Sequence, residues 1–386
     1  MANSLAPLNP ENWKPIVQDY LNNMLVSRKI ANVKCEKYLQ DGDQVNFPFT
    51  TDVRVQSCTP GTDATIDDVT ATADSLIVNQ SKLATFYLDP QEEKQARADY
   101  GMELAFQSAF QLRNNIDQTV FSDGVTNAQD TIAGGTLSAS TLLGLVGDAR
   151  AQLSRNNAAD GQLFAIFDPE NIALIEDTFV ANGFTVADRT LQNGFRGGLK
   201  GFNVFETNNL PYAVTITVDT QPTATDTFTI YGQVWTCVAD GTAAAAGEIN
   251  IGANLADFKT IFVDAINGDN AGTDYVDLAV GGRRSYQNGQ VAAATFVGDD
   301  SALTAFGKIG GAETFTAATN IFGTETSHLL FGRVGAISMA IQMQPELYIN
   351  QEPKQLGKNY LTHTLYGTTV FERDKPRLVK MSFNVV

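Results

Sequence analysis

The stretch from Asp89 to Gly124 constrains this chain more than any other. Asp89-Pro90-Gln91-Glu92 is a helix start: a capping side chain, Pro at the first helical position, and Glu three residues after the cap. Beyond it, Ala96, Tyr100, Leu104, Ala105, Ala109, Leu112, Ile116 and Val120 recur mostly every three or four residues, with no further Pro. Gly124 is the predicted stop. About 33 residues at ~1.5 Å each make a rod of roughly 50 Å, unless a break near Gly101 divides it. The rod does not span a membrane, because Glu92, Glu93, Lys94, Arg97, Asp99, Glu103, Arg113 and Asp117 interrupt it. A coiled coil would leave the β-rich sequence on both sides unexplained. The stretch reads as a spine on which a larger structure is laid.

What flanks the spine fits two domains, or one domain with an insertion, in 386 residues. No apolar run reaches membrane-spanning length, and the start, MANSLAPLNPENW, lacks the basic and apolar regions of a signal peptide. Cys35, Cys58 and Cys237 are odd in number and scattered, which points to a reducing compartment rather than a disulfide framework. His328 and His363 come with no Cys-x-x-Cys and no nucleophile motif, so no metal, cofactor or catalytic residue is assigned. The net charge is −17 at pH 7, and no segment is a strong polyanion-binding patch.

Before the spine, Trp13, Ile16, Val17, Tyr20, Leu21, Met24 and Leu25 mark one face of a helix. That face packs either on the chain's own core or, as an arm, on a neighbouring subunit. Val45, Phe47, Phe49, Thr51, Val53 and Val55 then alternate as a strand with one apolar face, confined by Pro48 to an edge or a bulge. The chain turns at Thr59-Pro60-Gly61-Thr62 and returns through Leu76-Ile77-Val78 toward Phe86 and Leu88. A two-stranded ribbon is marginal alone in water, so its apolar face must lie on the chain's own core or on another subunit.

After the spine, Ser140 is the predicted cap of a helix bearing Leu142, Leu143, Val146, Ala149 and Leu153. Leu163–Phe167 reads as a buried strand, and Asp168-Pro169-Glu170 opens a helix. The glycines at 194, 197, 198 and 201 match neither the dinucleotide nor the P-loop spacing, and the strand Phe202–Glu206 follows where a phosphate loop needs a helix. Residues 212–325 change character, with only 4 basic against 13 acidic side chains. Thr227–Tyr231 and Val234–Val238 read there as a hairpin, and Leu255–Ile266 as a helix. An apolar segment from His328 to Ile341 and alternating strands at Leu361, His363, Leu365 and at Val379, Met381, Phe383, Val385 complete the chain.

This order of parts resembles the major capsid proteins of tailed bacteriophages, the Hong Kong 97-like fold. The resemblance rests on the Asp41-Gly42-Asp43-Gln44-Val45 entry, the Asn115-Ile116-Asp117-Gln118 end of the spine and the strand–Asp168-Pro169–helix unit. Gly201-Phe202-Asn203-Val204, Asn208-Asn209-Leu210-Pro211 and the Tyr366-Gly367 region add to it. It implies an α+β fold made of an N-terminal arm (1–40), an E-loop hairpin (41–84) and a P domain with the spine helix (85–135). The first part of an A domain (136–211) and a return to the A and P domains with the C-terminal strands (326–386) complete it. Residues 212–325 depart from the family pattern and read as an inserted small α+β domain, expected on the outer face of the shell.

The resemblance further implies pentamers and hexamers in an icosahedral shell around double-stranded DNA, held by weak non-specific contact, in a virion assembled in the host cytoplasm. Portal and scaffolding proteins, and a decoration protein, are its implied partners. A Met1 start suggests that no N-terminal scaffolding segment is cleaved and that the scaffold is separate. Val45, Phe47, Phe49, Val53 and Val55 of the E-loop and Trp13, Val17, Tyr20 and Met24 of the arm are the expected inter-subunit residues. Lys–Asn cross-links from the E-loop are not expected, because no Lys lies between Asp43 and Gln80. The competing readings are an encapsulin-type bacterial compartment, a secreted adhesin suggested by the Thr- and Asp-rich insert, and an enzyme.

Overall fold

The spine is helical from Tyr100 onward, Gly101 included. The computed structural model describes residues 25–39, 42–50, 55–57, 59–61, 63, 66, 68–89, 100–181, 198–230, 233–269, 272, 274–279, 291–306, 321–350 and 357–384. Trp13, Val17, Tyr20, Met24 and Val53 lie outside these residues, as does the predicted helix start after Asp89. The chain divides into two units: residues 1–127 with 334–375, and residues 128–333 with 376–386.

In the first unit, the short helix α1 (Ser27–Ile30) and a 3-10 turn (Lys34–Lys37) precede β1 (Gln44–Thr50), β2 (Ala71–Ile77) and β3 (Gln80–Leu88). The spine is α2 (Tyr100–Asn127). Gly124 does not end it: the helix continues for three residues and buries Val125, so packing overrides the weak helix propensity of a glycine. Its inner stripe is Ala109, Leu112, Ile116, Val120 and Phe121, all buried. This stripe covers one face of a three-stranded antiparallel sheet ordered β15 (Ser338–Asn350), β16 (Lys358–Thr369), β3.

Alternation along β16 sends Tyr360, Thr362, Thr364 and Tyr366 toward the helix, all buried. The Tyr366 hydroxyl donates to Asn115 Oδ1 at 2.8 Å and lies 2.9 Å from Thr119 Oγ1, while Thr368 donates to Asp123. Burial pushes Tyr366 up to about 12.

The predicted ribbon is present as β1 paired antiparallel with β2, from Gln44↔Ile77 to Thr50↔Ala71. β1 is described as far as Thr50, residues 51–54 lie outside the described residues, and Val55 stands outside any strand. Its apolar face also has a cover within the chain: Val45 and Phe47 pack on Cys35, Leu39, Leu76, Val78, Ala340 and Phe371. Backbone closes tightly here, because a Cβ on Gly367 would sit 2.3 Å from the Ile77 carbonyl oxygen.

The second unit is built on a nine-stranded sheet ordered β12-β13-β8-β14-β5-β7-β6, with β17 on the other edge of β14 and β4 beyond it. Its strands are β4 (Asp130–Thr136), β5 (Leu163–Phe167), β6 (Gly198–Leu199), β7 (Phe202–Glu206), β8 (Pro211–Val218), β12 (Ala292–Ala293), β13 (Asp300–Phe306), β14 (Ile321–Arg333) and β17 (Leu378–Asn384). β5 reads as an unbroken apolar run because every residue is buried. Gly332 of β14 leaves no room for a side chain, since a Cβ would lie 2.6 Å from Leu378 Cδ2.

Helices α3 (Ala139–Arg155) and α4 (Pro169–Ala181) pack on each other. The cap of α3 is Ser138 rather than Ser140. Its hydroxyl accepts from the Thr141 N–H while the Thr141 hydroxyl accepts from the Ser138 N–H, and only that register makes both bonds. Asp168 caps α4 through the Asn171 N–H.

Residues 212–325 are woven into this sheet rather than set beside it. β8 pairs with β13 and with the first half of β14, so Tyr212 faces Ser327. A smaller sheet, β11 (Glu248–Asn250), β10 (Gln233–Val238), β9 (Thr227–Ile230), and helix α5 (Leu255–Asn267) complete the segment. The predicted hairpin and helix are both found. Among the described residues their core, including Tyr212, Val214, Ile216, Phe228, Trp235, Phe258, Phe262 and Leu303, draws on residues 212–303.

Candidate subunit interface

Apolar side chains left in water cost free energy, and large ones clustered on one element mark a surface meant to be covered. In the first unit, Val55 is 97% exposed and Ile66 90%, with Val69 and Ile77 also exposed. All four belong to the ribbon or to the segment joining its strands. Val45, Phe47 and Phe49 are half-buried, so the ribbon is anchored at its root and bare beyond it. The anchor is also polar: Gln342 donates to the Gly42 carbonyl at 2.7 Å, and the Glu372 N–H donates to Asp74 at 2.8 Å.

A second bare area lies on the face of the β15-β16-β3 sheet turned away from the spine. Leu83, Tyr87 and Tyr348 are exposed there, and the register sets Leu83 opposite His363 and Tyr348 opposite Leu361. Ser81 Oγ lies 2.8 Å from His363 Nε2. This contact has the length of a nucleophile–base pair, but it sits on a flat, half-open sheet. Ser81 lies on the edge strand β3 and His363 on the central strand β16. The contact joins two neighbouring strands.

His328 and two of the cysteines are perturbed by burial. His328 is lowered to about 4, first by burial and then by Lys380 on the paired strand, and its Nδ1 lies 2.9 Å from Ser382 Oγ. Cys35 and Cys237 are buried free thiols, and burial pushes Cys237 up to about 12, far from a reactive thiolate. Cys58 lies outside the described residues. Among the described residues no group of His, Cys, Asp or Glu is placed to hold a metal ion, and no helix is long and apolar enough to cross a membrane.

A shallow groove of about 520 Å³ runs along α5, lined by Leu255, Lys259, Val263, Thr295, Phe296 and Gly298. Lys259 crosses one end of it, donating to the Gly298 carbonyl and to Asp299, each at 2.8 Å.

Of the expected inter-subunit residues, the structure brings Val45, Phe47 and Phe49 together on one face of β1 and leaves Val55 apart from them, bare. Sequence reasoning missed Ile66 and Val69, which are isolated apolar residues in a polar stretch with no period to reveal them. It also missed the bare sheet face, although the alternation in Leu83-Ala84-Thr85-Phe86-Tyr87 carried the signal.

No protein-family model matches this sequence, and no curated protein matches it. Solved structures do. The chain is similar to one from Mycobacterium phage Che8 over 93% of its own length and 91% of that chain, at TM-score 0.56 and 13% identity. A structure from Mycobacterium phage Ogopogo is covered equally, at TM-score 0.50 and 9% identity. The structure titled "Capsid structure of the Cyanophage P-SCSP1u" gives TM-score 0.47 at 12% identity, over 89% of this chain and 84% of that one. The chain therefore has the mixed α+β fold of the two mycobacteriophage structures, along nearly its whole length.

Proposed function

We propose that this chain is the major capsid protein of a tailed bacteriophage, a shell-building subunit rather than an enzyme. The observation that carries the proposal is a fold shared with phage structures across more than nine-tenths of both chains. The surface supports the same reading. A ribbon rooted at Phe47 and bare at Val55 and Ile66 is a poor device for a monomer and a natural one for a subunit covered by its neighbours.

The subunits form pentamers and hexamers and close into an icosahedral shell. The spine and its sheet supply a stiff plate, and the ribbon carries apolar side chains away from it toward an adjacent copy. Each contact is modest, and symmetry multiplies it. A chain of net charge −17 touches packaged DNA only weakly, which suits a container that must later empty. Portal and scaffolding proteins, and in some arrangements a decoration protein, are its partners, and the virion is its destination.

Electron microscopy of the expressed chain, alone and with the scaffolding protein encoded beside it, is the test. Uniform icosahedral particles are expected. A chain that stays monomeric under both conditions overturns the proposal.

A further inference from the structure

Helix α5 has a second apolar margin beyond the one it buries. Phe258, Ile261, Phe262, Ala265 and Ile266 are sunk in the core of its own segment. Leu255 and Val263, with Lys259 midway between them, follow at four-residue steps on an adjoining face and are only partly buried. That margin is one wall of the groove along α5. Thr295, Phe296 and Gly298, in the turn between β12 and β13, are the other, and Val297 beside them is 85% exposed.

The groove is held in shape. Lys259 ties its walls together through Gly298 and Asp299, with the ammonium 5.4 Å from the centre of the Phe296 ring. Gly298 turns with φ +68°, which side chains disfavour, and the Val297 N–H donates to the Asp300 carbonyl at 2.8 Å. Docking between walls already fixed loses little to ordering them. Charge adds a second condition. Among the described lining residues Lys259 is the one cation, and Asp299 already pairs with it. Asp264 lines the same groove, while Asp257 and Asp299, sequence neighbours of lining residues, are exposed. The whole segment 212–325 has 4 basic against 13 acidic side chains. The groove is therefore apolar along its floor and negative at its rim.

An occupant must match both. A second copy of this chain matches poorly, because two chains of net charge −17 repel and like charges brought together at a contact cost binding. A cation-rich surface presenting an apolar side chain matches well. About 520 Å³ takes roughly one or two large side chains, the size of an anchor pocket within a wider contact. We propose that the α5 groove is a docking site for a separate, basic protein, which seats an apolar side chain between Val263 and Phe296 and sets Lys or Arg against the acidic rim. The proposal goes beyond the capsid reading and does not depend on it.

The test uses the full chain and two fluorescein-labelled peptides, one of alternating Leu and Lys, the other with Glu in place of Lys, followed by fluorescence anisotropy. The Leu–Lys peptide should bind about tenfold or more tightly than its Leu–Glu counterpart. Val263→Ser, which strips the floor, and Thr260→Trp, which fills the groove from its exposed rim, should each weaken that binding about tenfold. Thr260→Trp removes no buried side chain, so it reports even where Val263→Ser lowers the thermal midpoint. Val234→Ser and Asp240→Asn remove an exposed apolar group and an exposed charge elsewhere and should leave binding unchanged. Equal binding of both peptides overturns the charge match. Losses no larger at the groove than at Val234 and Asp240 overturn the site, since the attraction would then belong to the acidic surface at large. Particle formation abolished by Thr260→Trp would show that a second copy fills the groove and overturns the separate partner. A native chain that forms no particles would sink the capsid reading and leave the peptide measurement to decide the groove.

Discussion

The ring of Phe47 packs against that of Phe371, with centroids 5.1 Å apart and planes tilted by 56°. This contact roots the ribbon in the chain's own core, so Phe47 is a stability residue before it is an interface residue. Phe47→Ala should lower the stability of the isolated subunit by about 1–2 kcal/mol, less than for a fully buried Phe. Denaturant unfolding of unassembled subunits checks this. A change within error would place the ring's partner elsewhere.

Beyond that root the expectation reverses. Val55 and Ile66 touch little of their own chain, so Val55→Asp and Ile66→Asp should leave subunit stability within about 0.5 kcal/mol. Particle yield should nonetheless drop, because a charge would be forced into a covered apolar contact. Normal yields from the double variant would mean that these side chains stay in water in the shell.

His328 gives the second unit an acid sensitivity of definite sign. Its pKa is about 4 folded and 6.5 ordinarily, so between those values the unfolded chain binds a proton that the folded chain refuses. Stability from this group is complete above pH 6.5 and is lost as the pH falls toward 4, by about 2 kcal/mol after allowance for its partial exposure. Asp168 acts oppositely: burial raises its pKa, so the folded state takes up a proton there more readily than the unfolded one. The comparison that isolates His328 is therefore the native chain against His328→Asn, with the midpoint followed from pH 7 to 4. The variant should show the flatter acid limb, and parallel curves would remove His328 from the account.

The segment read as an insertion should fold alone, but with a different end. Among the described residues its buried core lies within 212–303, and β13 (Asp300–Phe306) is the last strand to supply a side chain to it. A fragment of residues 211–306 contains one tryptophan, Trp235, which is fully buried. The fragment should unfold cooperatively with a fluorescence red shift. A solvent-like spectrum without denaturant would show that β14 is indispensable.

How far the sequence spoke depended on the range of the forces involved. Leu163–Phe167 and the Leu255 helix were readable because burial on both faces, or on one stripe, writes itself into adjacent residues. Phe47 was ambiguous because its cover, Phe371, stands at the far end of the chain, and alternation says only that a cover exists. Asp117 read as one more charge on a soluble helix, since periodicity does not show that a backbone segment ninety positions earlier brings its N–H groups to it. The ends of 212–325 were set by composition, which does not register that β8 pairs with β14.

Gly332 and Gly367 each occupy a place where neighbouring atoms leave no volume for even a methyl group. Most other positions in a fold of this kind tolerate exchange, as identities of 13% and 9% over 93% of this chain attest. Drift is therefore blocked at a few points of backbone crowding rather than along whole motifs. A search for distant relatives that weights these two glycines by their spacing to Pro211 and Asp168 would follow the part of the sequence that geometry forbids to wander.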